Sequence, residues 1–89
     1  MKHVSLKVSG KVQGVFFRAS TIDVAEKFGI NGFVRNEHDG SVYIEAEGEE
    51  ENLKQFVEWC RHGPARAKVS NVDLKEGSVQ WFTKFEIRR

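Results

Sequence analysis

The stretch GFVRNEHDGSVYIEAEG, residues 32–48, decides the fold. At its middle, His38, Asp39 and Gly40 place an Asp-Gly pair between two runs of alternating apolar residues, the signal of a tight turn between antiparallel strands. We therefore expect strands over Gly32 to Glu37 and Ser41 to Glu47. In the second, Val42, Ile44 and Ala46 share one face, while Ser41, Tyr43, Glu45 and Glu47 share the other. That pattern belongs to a sheet covered on one side, so helices must come from the flanking sequence.

Both flanks supply one. Upstream, Ile22, Ala25 and Phe28 recur at helical spacing from about Arg18 to Phe28, and Gly29 stands where a helix stops. Downstream, the acidic run Glu49 to Glu51 suits the positive end of a helix dipole. Leu53, Phe56, Val57 and Cys60 then form an apolar stripe, which Gly63 and Pro64 terminate. Farther out, Val4, Leu6 and Val8 alternate with polar residues as a first strand ending at Gly10. Val72 and Leu74 mark a later strand. Trp81, Thr83, Phe85 and Ile87 alternate with Phe82, Lys84, Glu86 and Arg88 as a closing strand or split edge.

The order strand, helix, strand, strand, helix, strand specifies an α+β, ferredoxin-like two-layer sandwich. Its sheet is mostly antiparallel, with four or five strands and both helices on one face. Eighty-nine residues fill one core and are too few for two, so residues 1–89 read as a single domain. This architecture hosts metal carriers, RNA binders and enzymes alike, so the site must decide function.

Composition narrows the field. Fourteen basic against thirteen acidic residues leave a net charge of +1, so no strong field draws the chain to nucleic acid or anionic lipid, and any anion site must be local. One cysteine excludes an intrachain disulfide. The start MKHVSLKVSG alternates where a secretory signal needs a continuous apolar run, and no stretch reaches membrane-spanning length. A cytoplasmic monomer without a membrane or nucleic-acid partner is expected.

GKVQGVFFR, residues 10–18, sets a turn bracketed by Gly10 and Gly14 between the first strand and the first helix, with a guanidinium at its end. Backbone amides in such a turn can converge on an anion, the helix N-terminus adds positive potential, and Arg18 can fork two hydrogen bonds to phosphate. The residues alone fit equally an ordinary turn with Arg18 solvated. The loop is not a Walker nucleotide loop, because Val15 follows Gly14 where that motif requires Lys and Ser/Thr. Asn36 has two readings as well. Strand parity puts it in one row with Val34, opposite Phe33 and Arg35, so it either serves the turn or presents an amide on the core-facing side.

GKVQGVFFR resembles the signature of the acylphosphatase family, and residues 32–48 resemble that family's second conserved block. Length, element order and the helix-ending HGPARAKV segment are similar throughout. The resemblance implies hydrolysis of acyl phosphates without metal or cofactor. It also implies a phosphoryl group held by Arg18 and the loop Gly10, Lys11, Val12, Gln13, Gly14 and Val15, and water oriented by Asn36. The sequence departs at its end, where Arg88 and Arg89 replace the aromatic residue many relatives carry, which puts the C-terminal packing in question.

The implied chemistry needs few groups. An acyl phosphate is a mixed anhydride whose leaving group is a carboxylate, so no strong general acid is required. Charge neutralisation and an in-line water remain, and these are electrostatics and positioning.

Other readings compete. Cys60 and Arg66 are spaced like the nucleophile and arginine of cysteine-dependent phosphatases, but such a thiolate belongs at a strand end under a loop of amides. Here Cys60 falls on a helical apolar stripe and reads as core, and His62 points away from it. Phe33, Tyr43 and Phe82 could stack RNA bases on the sheet, although Glu45 and Glu47 share that face and no basic stripe accompanies them. His3, His38 and His62 lack metal-site spacing, Glu37, His38 and Asp39 read as a polar turn, and Trp59 and Trp81 read as packing residues.

Overall fold

The computed structural model describes residues 1–89. Strand β1 (Lys2–Lys11), helix α1 (Phe17–Phe28), strands β2 (Asn31–Asn36) and β3 (Val42–Gly48), helix α2 (Glu50–Cys60), and strands β4 (Lys68–Gly77) and β5 (Phe85–Ile87) follow in order. They build one five-stranded sheet, β4-β1-β3-β2-β5, that is antiparallel except where β5 runs parallel to β2. This is the expected ferredoxin-like sandwich, with both helices on one face.

Alternation sets the core. Val4, Leu6 and Val8 of β1 pair with Ala46, Ile44 and Val42 of β3, and all six are buried under Phe17, Ala25, Leu53, Phe56 and Cys60 of the helices. The α2 stripe is the one read from the sequence. That of α1 is shifted: Phe17, Thr21 and Ala25 are buried and Ile22 is only half-buried. Thr21 enters the core because its hydroxyl donates to the Phe17 carbonyl at 2.7 Å, so a polar residue is satisfied within its own helix. Gly29 ends α1 in the left-handed region, and the Ile30 amide returns to the Ala25 carbonyl, closing the C-terminus without a side chain.

The closing strand needs correction. Only Phe85–Ile87 form a strand; residues 80–82 cross the outer face of the sheet before Lys84 reaches the β2 edge, where its carbonyl accepts the Gly32 amide. Glu47 holds them. Its carboxylate accepts the amides of Gln80 (2.8 Å) and Phe82 (2.6 Å) and faces His3 Nδ1 at 2.8 Å. To aim both amides at one carboxylate, the backbone turns through Trp81 at φ 59°, which breaks the two-residue period. Trp81 is 72% exposed and is therefore not a packing residue; Trp59 is one, with its ring centroid 5.5 Å from that of Phe17. Burial pushes the Glu47 carboxyl up, but the Gln80 amide, His3 and the Phe82 amide together outweigh it and hold the group below its usual value.

The outer face is consequently covered at one end. Phe33 lies 4% exposed under Phe82 and under Arg88, whose guanidinium sits 4.2 Å from the ring centroid. The Arg88 amide also donates to the Val34 carbonyl at 2.9 Å, so arginine closes the C-terminal end where an aromatic residue was in question.

Candidate active site

The site forms where β1 hands the chain to α1. Gly10 (φ 124°) lies at a register shift against β4, and a side chain there would strike the Lys68 carbonyl, so the close strand approach requires glycine. Beyond β1, Val12 and Val15 are buried in the core and anchor the loop at two points. Between and after them the backbone turns left-handed twice, at Gly14 (φ 72°) and at Phe16 (φ 64°). For a phenylalanine that conformation costs about 1–3 kcal/mol, and the ring is 71% exposed. Helix α1 then starts with neither a side-chain cap nor an acidic residue in its first turn, leaving its positive end uncompensated.

A cavity of about 280 Å³ opens at this point. Val12, Gly14, Phe16, Phe17, Arg18 and Ala19 line it from the loop and helix, Asn36 from the end of β2, and Ile87 from β5. The lining includes one cation and no carboxylate. Arg18 belongs to none of the chain's nine ion pairs, so its guanidinium is not committed to an internal acid.

Asn36 follows the expected parity: Val34 is fully buried in the core, and Asn36 continues its row as the last residue of β2, opposite Val42. Its side-chain oxygen Oδ1 is buried without a hydrogen-bond partner. The local turn therefore does not use this amide. Instead, Asp39 Oδ1 accepts the Ser41 amide at 3.0 Å and the Ser41 hydroxyl at 2.6 Å, while Lys7 lies 2.7 Å from Asp39. Lys7 first, then Ser41, depress the Asp39 carboxyl far below the usual carboxylate range. Glu37 is half-buried and pairs with Arg35 at 3.2 Å; His38 is exposed.

The structure thus brings Val12, Gly14, Arg18 and Asn36 of the sequence-read set to one cavity. Gly10 and Lys11 are instead the last residues of β1, paired with Val69 and Lys68, and Gln13 and Val15 lie outside the lining. Sequence reading missed Phe16, Phe17, Ala19 and Ile87. Ile87 was recoverable, since it shares a strand row with Phe85, which packs on Phe56 at 5.7 Å between ring centroids.

The cysteine alternative fails on geometry. Cys60 is fully buried at the end of α2, where desolvation pushes its thiol far up, away from a thiolate, and Arg66 is exposed in the following turn. His3 lies between Glu47 and Glu45, and His62 pairs with Glu58 on the surface. No three His, Cys, Asp or Glu side chains are grouped to hold a metal ion, and no helix is long and apolar enough to cross a membrane.

Comparison with known proteins bears on this site. The family model described as acylphosphatase matches residues 4–87. An acylphosphatase of Marinobacter nauticus is 53% identical over 81 residues, covering 90% of this chain and 88% of its own. That of Methylococcus capsulatus is 43% identical over 90 residues, covering 100% and 98%. The crystal structure of acylphosphatase from Bacillus subtilis superposes with a TM-score of 0.97 at 37% identity, over the whole of both chains.

Proposed function

The chain belongs to the acylphosphatase family and is an enzyme of that activity, and from this premise we propose how its own residues divide the chemistry. Arg18, the amides of residues 12–15 and the free N-terminus of α1 hold the phosphoryl group of an acyl phosphate. Asn36 orients water for in-line attack. The observation that carries this reading is the Asn36 Oδ1, a buried acceptor without a protein partner, in the cavity that also contains Arg18. An unpaired buried acceptor costs about 1–3 kcal/mol, a penalty that a bound water's hydrogen would remove.

In the proposed step the water oxygen attacks phosphorus while the bond from phosphorus to the carboxylate oxygen breaks. The leaving carboxylate departs as an anion and needs no proton. Asn36 Oδ1 accepts a hydrogen bond from the water, fixing its lone pair without abstracting the proton. That proton passes to a phosphoryl oxygen of the substrate, so no covalent enzyme intermediate and no metal enter the step. Arg18 supplies two donors in a planar fork, which suits charge spread over phosphoryl oxygens. We further assign the enzyme to the cytoplasm as a monomer acting on a small-molecule acyl phosphate.

The test is hydrolysis of benzoyl phosphate in the presence of a chelator, with inorganic phosphate as competitive inhibitor. Arg18→Ala should lose both turnover and phosphate binding. Asn36→Ala should lower kcat by about a hundredfold or more while largely sparing the inhibition constant of phosphate. Wild-type turnover in folded Asn36→Ala would remove that residue from the mechanism.

A further inference from the structure

We propose that Gln13 is a positioning residue for the hydrolytic step, acting through Asn36; the inference rests on the function proposed above. The Gln13 side chain leaves the phosphate loop and reaches the mouth of the β2–β3 turn. There its Nε2 group donates to two backbone carbonyls, that of Glu37 at 2.8 Å and that of Ser41 at 2.9 Å. Both amide hydrogens are thus used, one on each side of the turn. Glu37 directly follows Asn36, and its own amide donates to the same Ser41 carbonyl at 2.8 Å. No other side-chain hydrogen bond joins residues 12–16 to the hairpin.

The loop does not need this strap for its shape, because Val12 and Val15 already fix it in the core. The strap bears instead on the end of β2. The β3 ladder ends at Asn36 and Val42, with the Glu37-to-Ser41 backbone bond beyond it, while pairing with β5 spans only Gly32 to Val34, so two residues of β2 extend past their β5 support. Gln13 is therefore placed to set the distance between loop and amide. In a reaction governed by positioning, that distance affects turnover more than phosphate binding, since Arg18 and the loop remain in place.

Gln13→Met keeps the side-chain length and removes both donors; Gln13→Asn keeps the amide but is too short to bridge both carbonyls. Each would be assayed with benzoyl phosphate, with phosphate inhibition measured alongside and folding checked by circular dichroism. We expect kcat to fall about tenfold or more and the phosphate inhibition constant to stay within about threefold. In an Asn36→Ala background, Gln13→Met should then change residual turnover by less than about twofold, because the two residues act as one unit. An unchanged kcat in both variants overturns the proposal. So does a phosphate inhibition constant that rises in step with the loss of kcat, or a full loss repeated in the Asn36→Ala background. Wild-type kcat in Asn36→Ala alone refutes the proposed function instead, a result separable from the others.

Discussion

Replacing Glu47 by alanine should destabilise the fold more than any other single change on the outer face of the sheet. The carboxylate is 2% exposed and accepts three hydrogen bonds, from the Gln80 amide, the Phe82 amide and the His3 ring. Hydrogen bonds to a charged group contribute about 1.5–3 kcal/mol each, and leaving a donor unpaired costs about 1–3 kcal/mol. The sum overstates the effect, because residues 78–82 can lift and let their amides reach water. Allowing for that relaxation, we expect about 3–5 kcal/mol, close to the loss of two such hydrogen bonds to a charged group. Against a total of about 5–15 kcal/mol this is a large fraction, and at about 4–8 °C per kcal/mol it lowers Tm by roughly 15 °C or more. Glu47→Gln keeps one acceptor oxygen and should lose about half as much. Urea unfolding followed by tryptophan fluorescence reports the change through the midpoint, provided the slope is unchanged. A shift of less than about 1 kcal/mol in Glu47→Ala would show that the carboxylate does not hold the C-terminal segment.

Acid should act at the same place. The folded Glu47 carboxyl lies below its ordinary value of 4.5, so its contribution is fully present above that pH and is lost as pH falls through the folded pKa. Stability should therefore decline below about pH 4.5 in the wild type, with a shallower slope in Glu47→Gln; equal slopes would remove Glu47 as the cause. Cys60→Ser places a hydroxyl in the apolar core and should lower stability by about 1–3 kcal/mol while leaving kcat per folded molecule unchanged. Thiol alkylation of the native enzyme should likewise leave activity intact, and lost turnover in the folded serine variant would restore the cysteine mechanism. Gly10→Ala forces a side chain against the Lys68 carbonyl at a φ of 124°, with an expected cost above about 2 kcal/mol by thermal denaturation. A neutral result would mean that β4 yields at the bulge.

Residues 32–48 were legible because strand parity is rigid. Once the Asp-Gly turn is recognised, each residue's face follows, and Val42, Ile44, Ala46 and Asn36 all lie where alternation puts them. Alternation could not reveal what covers the opposite face. Glu47 sits in an outward row and reads as solvated, yet it is buried by a segment 33 to 35 residues farther along the chain. The same long-range contact explains why residues 81–84 carry a strand pattern without forming a strand. Phe82 packs inward on Phe33, but the backbone bonds that a ladder would use go to a carboxylate. Thr21 escaped for a local reason, since periodicity arguments count apolar side chains and Thr21 satisfies its hydroxyl on its own helix.

The two positive-φ residues that are not glycine are Phe16 and Trp81. Both carry large side chains left exposed, so neither conformation is repaid by burial of the residue itself. For Trp81 the compensation is visible: the amides on either side of it converge on Glu47, an anion the chain supplies. Phe16 belongs to a comparable bend, following left-handed Gly14 and leading into a helix start without cap or acid, but the cavity beside it is lined by no carboxylate. The first turn is filled from within the chain, whereas the second opens on a cavity with no internal anion. The unpaired Asn36 oxygen lies in the same cavity, so two departures from local stability rules meet at one place. Such coincidence is expected where a fold gives up stability for chemistry, and it separates this cavity from the other clefts on the surface.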